Sequence, residues 1–211
     1  MRQGIAVVTA VVTVLSTAGC KTTTIGSGTT PGSGHRTSTA DGKLKQSGKL
    51  TKRGHLIVLS DPGQVTYSLH PANCHTTGSG TQILQDPSCT PGGIDPNVTQ
   101  SNLSSTICKS GYTSTVRPPS SQTSKAKRAQ YVAYGVSDGT TSELDHLISL
   151  ELGGDNDIAN LWPEIGKLPN PKDKVENDLH RAVCSGKVKL ADAQTAIATD
   201  WRTAEQQLGL A

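Results

Sequence analysis

Glu143-Leu144-Asp145-His146-Leu147-Ile148-Ser149-Leu150-Glu151-Leu152-Gly153-Gly154, followed by Asn160-Leu161-Trp162-Pro163 and then Asn170-Pro171, is the stretch whose reading decides the fold. Its opening residues form an apolar, strand-like segment that ends on Asp145-His146. Gly153-Gly154-Asp155-Asn156 supplies a turn, and Asn160-Leu161-Trp162 returns as a second strand. Asn170 then opens a helix, with Pro171 suited to the first helical position and Asp173 placed to reach back as in a capping box. Strand, turn, strand, helix predicts an α+β fold. Neighbouring strand residues point to opposite faces, so Asp145 and His146 can share a site only where the strand ends or twists.

Downstream, Val175, Leu179, Ala182 and Val183 make an apolar face for the helix opened by Asn170, and Gly186 lies just past its end. A last helix is expected from about Leu190 to Leu208, with Ala193, Ile197, Trp201 and Ala204 as its packed stripe. Upstream, Thr123 or Ser124 caps a short basic helix through Tyr131 that carries Lys125, Lys127 and Arg128. Further upstream, His55-Leu56-Ile57-Val58-Leu59 and Val65-Thr66-Tyr67-Ser68-Leu69 read as strands. Asp61-Pro62-Gly63 separates them as a hairpin turn would. Between Cys74 and Cys108 the chain is loop-rich, marked by Asp86-Pro87 and Pro91-Gly92-Gly93.

The N-terminus has a different character. Met1-Arg2-Gln3, an apolar run from Ile5 to Leu15 and Ser16-Thr17-Ala18-Gly19-Cys20 form a signal peptide pattern over residues 1–19. The apolar run is well short of the roughly 20 residues a membrane-spanning helix needs. Ala18-Gly19 before Cys20 resembles a lipobox, with Thr17 where Leu is usual, and implies lipid attachment at Cys20. Ser16 and Ala18 alone would instead fit cleavage and simple secretion. Residues 20–53 are Gly, Ser, Thr and Lys with scarcely an apolar side chain, the composition of a flexible tether. A loop-rich β region over 54–108 and a main domain over 109–211 complete the expected organisation.

Composition sets bounds. With 33% hydrophobic residues, no Phe, two Trp and 22 Gly in 211 residues, the chain has modest core-forming volume. A net charge of +3 permits a polyanionic partner but lacks the dense basic stripe of a dedicated nucleic-acid binder. Setting Cys20 aside leaves Cys74, Cys89, Cys108 and Cys184, an even set without C-x-x-C spacing, which favours two disulfides over a thiolate zinc cluster. Sequence allows three connectivities. The short Cys74 to Cys89 loop makes Cys74–Cys89 with Cys108–Cys184 the preferred pairing.

The Glu-x-Asp-His, Leu-Glu-Leu-Gly-Gly and Asn-Leu-Trp-Pro motifs of this stretch together resemble the HNH, or His-Me finger, nuclease superfamily, in particular its exported actinobacterial-type members. The resemblance covers roughly Cys89 to Trp201. Asn160 lies 14 residues past His146, and Asn170 lies 10 further on, as the Asp-His type of HNH site requires. Ser149 stands where many relatives carry Pro, and the Lys common three after the final ligand is displaced to Lys174.

The resemblance implies a small ββα-metal core with flanking helices and a disulfide-stapled N-terminal part. His146 would be the general base, with Asn160 bracing the loop that holds it. Asp145 and Asn170 would be the protein ligands of one divalent metal, Mg²⁺ or its substitute Mn²⁺. Phosphodiester hydrolysis needs a base to activate water and a cation to neutralise developing charge, and oxygen ligands suit a hard ion. Lys172 and Lys174 are candidate phosphate contacts. The implied activity is hydrolysis of DNA or RNA outside the cytoplasm with little sequence specificity, by a monomer whose membrane contact is a lipid anchor. The alternative is a catalytically inactive envelope lipoprotein that uses the same fold as a binding scaffold. Glu143 is a candidate supporting residue. His180, ten residues past Asn170 and about 15 Å along a helix axis, is left out.

Overall fold

The computed structural model describes residues 51–211, Pro62 excepted. The signal peptide, Cys20 and all of the tether up to residue 50 lie outside the described residues. The chain is mixed α+β with small sheets. Strand β1 (Thr51–Arg53) pairs antiparallel with β2 (Leu56–Val58), which pairs parallel with β3 (Gly93–Ile94). Ordered pairing therefore starts inside the segment read as tether, because the exposed Thr51–Arg53 run finds a backbone partner in the apolar Leu56–Val58 strand. The hairpin expected around Asp61-Pro62-Gly63 does not form. Residues 65–69 make only an isolated bridge, Thr66 to Asp157, and β2 uses its edges for β1 and β3 instead.

Two helices follow, α1 (Tyr112–Val116) and α2 (Ser120–Ala133), the second starting earlier than Thr123 because Pro118-Pro119 sets its entry. Then β4 (Ser142–His146) and β5 (Leu161–Ile165) pair antiparallel, with Asp145 opposite Trp162, His146 opposite Leu161 and Glu143 opposite Glu164. Helix α3 (Pro171–Cys184) comes next, then α4 (Leu190–Asp200) and the short α5 (Ala204–Gln207). The single helix expected over 190–208 is broken after Asp200, where the turn lets Trp201 bury its ring and donate from Nε1 to the Ile83 carbonyl at 3.0 Å.

The core joins these parts. Leu147, Ile148, Leu152 and Trp162 from the strand–loop–strand segment pack with Val175, Leu179 and Val183 of α3 and with Ala193 and Ile197 of α4. Leu56, Ile83 and Ile94 from the loop-rich part enter the same cluster, so burial of apolar area holds the two regions together. Disulfides Cys74–Cys89 and Cys108–Cys184 close, the second tying the loop-rich part to the end of α3. Two disulfides fit an oxidising, extracytoplasmic compartment. Among the described residues no helix is long and apolar enough to cross a membrane.

Candidate functional site

The loop between β4 and β5 is short of regular structure and is held by one amide. Asn160, fully buried, accepts through Oδ1 from the Ile148 N–H at 3.0 Å and the Gly93 N–H at 3.2 Å. Its Nδ2 donates to the Ile148 carbonyl at 3.0 Å and the Asp155 carbonyl at 2.9 Å. This one side chain thus satisfies backbone groups that the absence of a ladder would leave unpaired inside the core. The loop closes so tightly that a Cβ on Gly154 would lie 1.8 Å from the Ile148 carbonyl oxygen, which admits only glycine there.

His146 ends β4 and is 9% exposed. Its Nε2 lies 3.0 Å from Asn156 Oδ1, while Asn156 Nδ2 donates to the Val116 carbonyl at 3.0 Å. That second bond assigns Oδ1 as the acceptor, so Nε2 carries the proton and the lone pair sits on Nδ1. Burial lowers the His146 pKa to about 4, opposed by the Asn156 contact and by Asp145 and assisted by the charges of Arg117 and Lys172. The ring is therefore neutral at neutral pH.

Asp145 points the other way. It shares a ribbon face with Glu143, Trp162 and Glu164, toward α3. Both of its hydrogen bonds land on Oδ2, from Trp162 Nε1 at 3.0 Å and from Lys172 Nζ at 2.8 Å. Lys172 also donates to the His146 carbonyl at 2.9 Å and pairs with Glu176. Its side chain is fully buried, which corrects its reading as a phosphate contact at the surface. Burial alone would lower its pKa, but Asp145, Glu176 and Glu164 outweigh that and raise it, so the ammonium keeps its charge. Lys174 is exposed and pairs with Asp178 and, at 3.5 Å, with Glu205.

Around Lys172 the carboxylates outnumber the cation. Glu164 is 1% exposed with neither carboxyl oxygen hydrogen-bonded, and burial followed by Asp145, against Lys172, pushes its pKa to about 9. Glu176 rises to about 8, chiefly by burial. Glu143 rises by burial and by Asp145, and its Oε1 is buried without a partner.

Asn170 starts α3 and its backbone N–H donates to Asp173 Oδ2 at 2.9 Å. The Asn170 side chain is 3% exposed. Asn170 and Asp173 together have the arrangement of a capping box, and the Asn170 amide lies against the Glu143 carboxyl.

The structure therefore brings Asp145, Asn170 and Glu143 to the α3 side of the ribbon and His146 to the other side, with Asn160 in the loop beneath. Sequence reading missed Glu164, Glu176 and Asn156 as neighbours of this dipeptide. Only the i,i+4 spacing of Lys172 and Glu176 signalled a pair in advance. Cys108, Cys184 and His180 also lie together, with ligand atoms within 4.8 Å, but the two sulfurs are bonded to each other and offer no thiolate. The chain matches no family model, no curated protein and no solved structure.

Proposed function

We propose that this chain is an exported HNH-type phosphodiesterase that hydrolyses nucleic acid with the help of one divalent cation. The observation that supports this best is a buried, neutral His146 at the end of the strand whose preceding residue, Asp145, lies on the same side as the buried Asn170 amide. A neutral imidazole with its Nδ1 lone pair free can take a proton from water, the task of a general base. Asn156 holds the tautomer, and Asn160 holds the loop on which His146 ends its strand.

The oxygen set fits a hard cation: Asp145 keeps Oδ1 clear of its two hydrogen bonds, and the buried Asn170 amide lies against the Glu143 carboxyl on the same side of the ribbon. Asp145 and Asn170 would hold Mg²⁺ or Mn²⁺, with Glu143 in support. When bound, such an ion supplies positive charge to a phosphate whose negative charge grows during displacement. Lys172 keeps Asp145 ionised and oriented toward α3, and Trp162 fixes the carboxylate from the opposite strand. The activity we propose has low sequence specificity, since among the described residues no base-reading element accompanies the β4–β5–α3 unit.

One observation favours a second reading. The Lys172 ammonium already neutralises Asp145, as it would in a finger that serves only as an envelope binding scaffold. One experiment separates the two: the mature chain is incubated with plasmid DNA or RNA and Mg²⁺ or Mn²⁺, beside His146→Ala and an EDTA control. Metal-dependent cutting lost in His146→Ala supports the nuclease. Equal cutting by wild type and variant overturns His146 as the base, and no cutting by either supports the scaffold.

A further inference from the structure

Two sulfurs and one imidazole meet where the end of α3 reaches the loop-rich part. Cys108 Sγ, Cys184 Sγ and a ring nitrogen of His180 all lie within 4.8 Å of one another. His180 and Cys184 are four residues apart on α3, which puts them on one face of the helix a turn apart. Cys108 enters from the segment that the disulfide ties to that face. The cluster shares no residue with the Asp145–Asn170 group.

His180 is oriented as a metal ligand would be. Its Nε2 lies 2.9 Å from the Ile107 carbonyl oxygen, which only accepts, so Nε2 carries the proton of the neutral ring and the lone pair sits on Nδ1. A backbone carbonyl on the far nitrogen is the usual support of a metal-bound imidazole, because it fixes both the tautomer and the ring plane. On the Nδ1 side, Glu151 Oε2 stands at 3.8 Å, too long for a hydrogen bond and close enough for the two atoms to share one ion.

While the disulfide is closed, neither sulfur is a thiolate and the group holds no cation. Opening it changes that chemistry. A dithiol passes two electrons and two protons to the S–S bond and leaves as its own disulfide, so Cys108 and Cys184 become free thiols. A divalent ion then displaces both thiol protons and takes two thiolates and the imidazole. Cys184 is exposed, which gives reductant and metal a way in.

We propose that in the reduced chain Cys108, Cys184 and His180 form a Zn²⁺ site, with Glu151 offering an oxygen at the fourth position. The ion replaces the disulfide as the tie between the end of α3 and the residues around Cys108, so the staple persists in both redox states. Thiolate and imidazole ligands select Zn²⁺ over Mg²⁺, so this site does not compete for a hard cation at Asp145 and Asn170.

The test titrates the mature chain, reduced by a phosphine, with Co²⁺ and then Zn²⁺. Its readout is thiolate-to-Co²⁺ charge-transfer absorption, which an all-oxygen site does not give. One Co²⁺ per reduced chain, displaced by Zn²⁺, and no band from the oxidised chain are expected. Zn²⁺ at about 100 times its Kd should raise the Tm of the reduced chain by about 5–10 °C. Cys108→Ser/Cys184→Ser should lose the band. His180→Gln keeps a donor for the Ile107 carbonyl and leaves the disulfide free to form, so its oxidised form should unfold as wild type does. Its reduced form should bind Co²⁺ at least about 10-fold more weakly. No band from the reduced wild type, a band that survives Cys108→Ser/Cys184→Ser, or unchanged affinity in His180→Gln overturns the proposal.

Discussion

Lys172 Nζ sits 2.8 Å from Asp145 Oδ2 and 2.9 Å from the carbonyl oxygen of His146, so one buried ammonium, delivered by the first turn of α3, grips both residues of the dipeptide. Lys172→Met should therefore leave Asp145 and Glu176 without their shared cation. Breaking a buried ion pair by removing one partner costs about 3–5 kcal/mol, and chemical denaturation of the variant should show a loss of that order. A loss under about 1 kcal/mol would mean that the carboxylates take up protons freely when the ammonium is gone.

Asn160→Ala should be among the most damaging single changes in the chain. It strips partners from the N–H and carbonyl of Ile148, the Gly93 N–H and the Asp155 carbonyl together, and each buried orphan costs about 1–3 kcal/mol. Loss of the cooperative unfolding transition by circular dichroism is the expected outcome. Asn160→Asp, which keeps the acceptor and loses the donor, should fall between.

If the nuclease reading holds, His146→Ala should reduce DNA cleavage by about 10²-fold or more, the usual contribution of a positioned general base. Asn156→Ala frees the ring without removing it and should cost less. Its signature should be a changed pH profile rather than abolished turnover. Equal loss in both variants would argue that Asn156 acts on the fold alone.

The pH dependence of stability follows from the same ring. His146 titrates near 4 when folded and near its ordinary value of 6.5 when unfolded. Between those values the unfolded chain binds more protons than the native one, so this group adds stability above pH 6.5 and loses it as pH falls toward 4. Glu164 and Glu176, raised to about 9 and about 8, act in the opposite sense over the same window, so the His146 share is read as a difference: the urea midpoint of metal-free His146→Gln should gain on that of wild type as pH falls from 6.5 toward 4.

The disulfides differ in what they close. Cys108–Cys184 spans 76 residues and Cys74–Cys89 spans 15. Loop-closure entropy assigns them about 4.5 and about 3 kcal/mol respectively. The double alanine variants, unfolded in guanidinium, should rank in that order.

The strand–turn–strand–helix order around Asp145 and His146 was legible because Gly153-Gly154, Asn160 and Asn170-Pro171 are local signals with local meanings. The same holds for Asp173 as the partner of the Asn170 backbone, whereas the cysteine pairing was only preferred among three connectivities, on the short Cys74 to Cys89 loop. What was hidden is non-local. Glu176 is within reach of Lys172 by its i,i+4 spacing, but nothing near Lys172 in sequence shows that Asp145 and Glu164 also face it, because both lie on strands and their approach depends on register. Residues 65–69 alternate like a strand, yet β2 had already filled its edges with β1 and β3, so Thr66 was left to bridge Asp157. Trp201 was expected in the core and lies there. The helix break beside it, which seats its indole against the Ile83 carbonyl, has no mark in the apolar stripe.

Because β4 alternates, Asp145 and His146 present to opposite sides of one ribbon, Asp145 to the ammonium under α3 and His146 to the Asn156 amide bonded to Val116, while Lys172 spans both through the His146 carbonyl. Substitutions at Asn156 and at Glu143 thus approach the same strand end from its two sides, and Lys172 is the group through which their effects become non-additive.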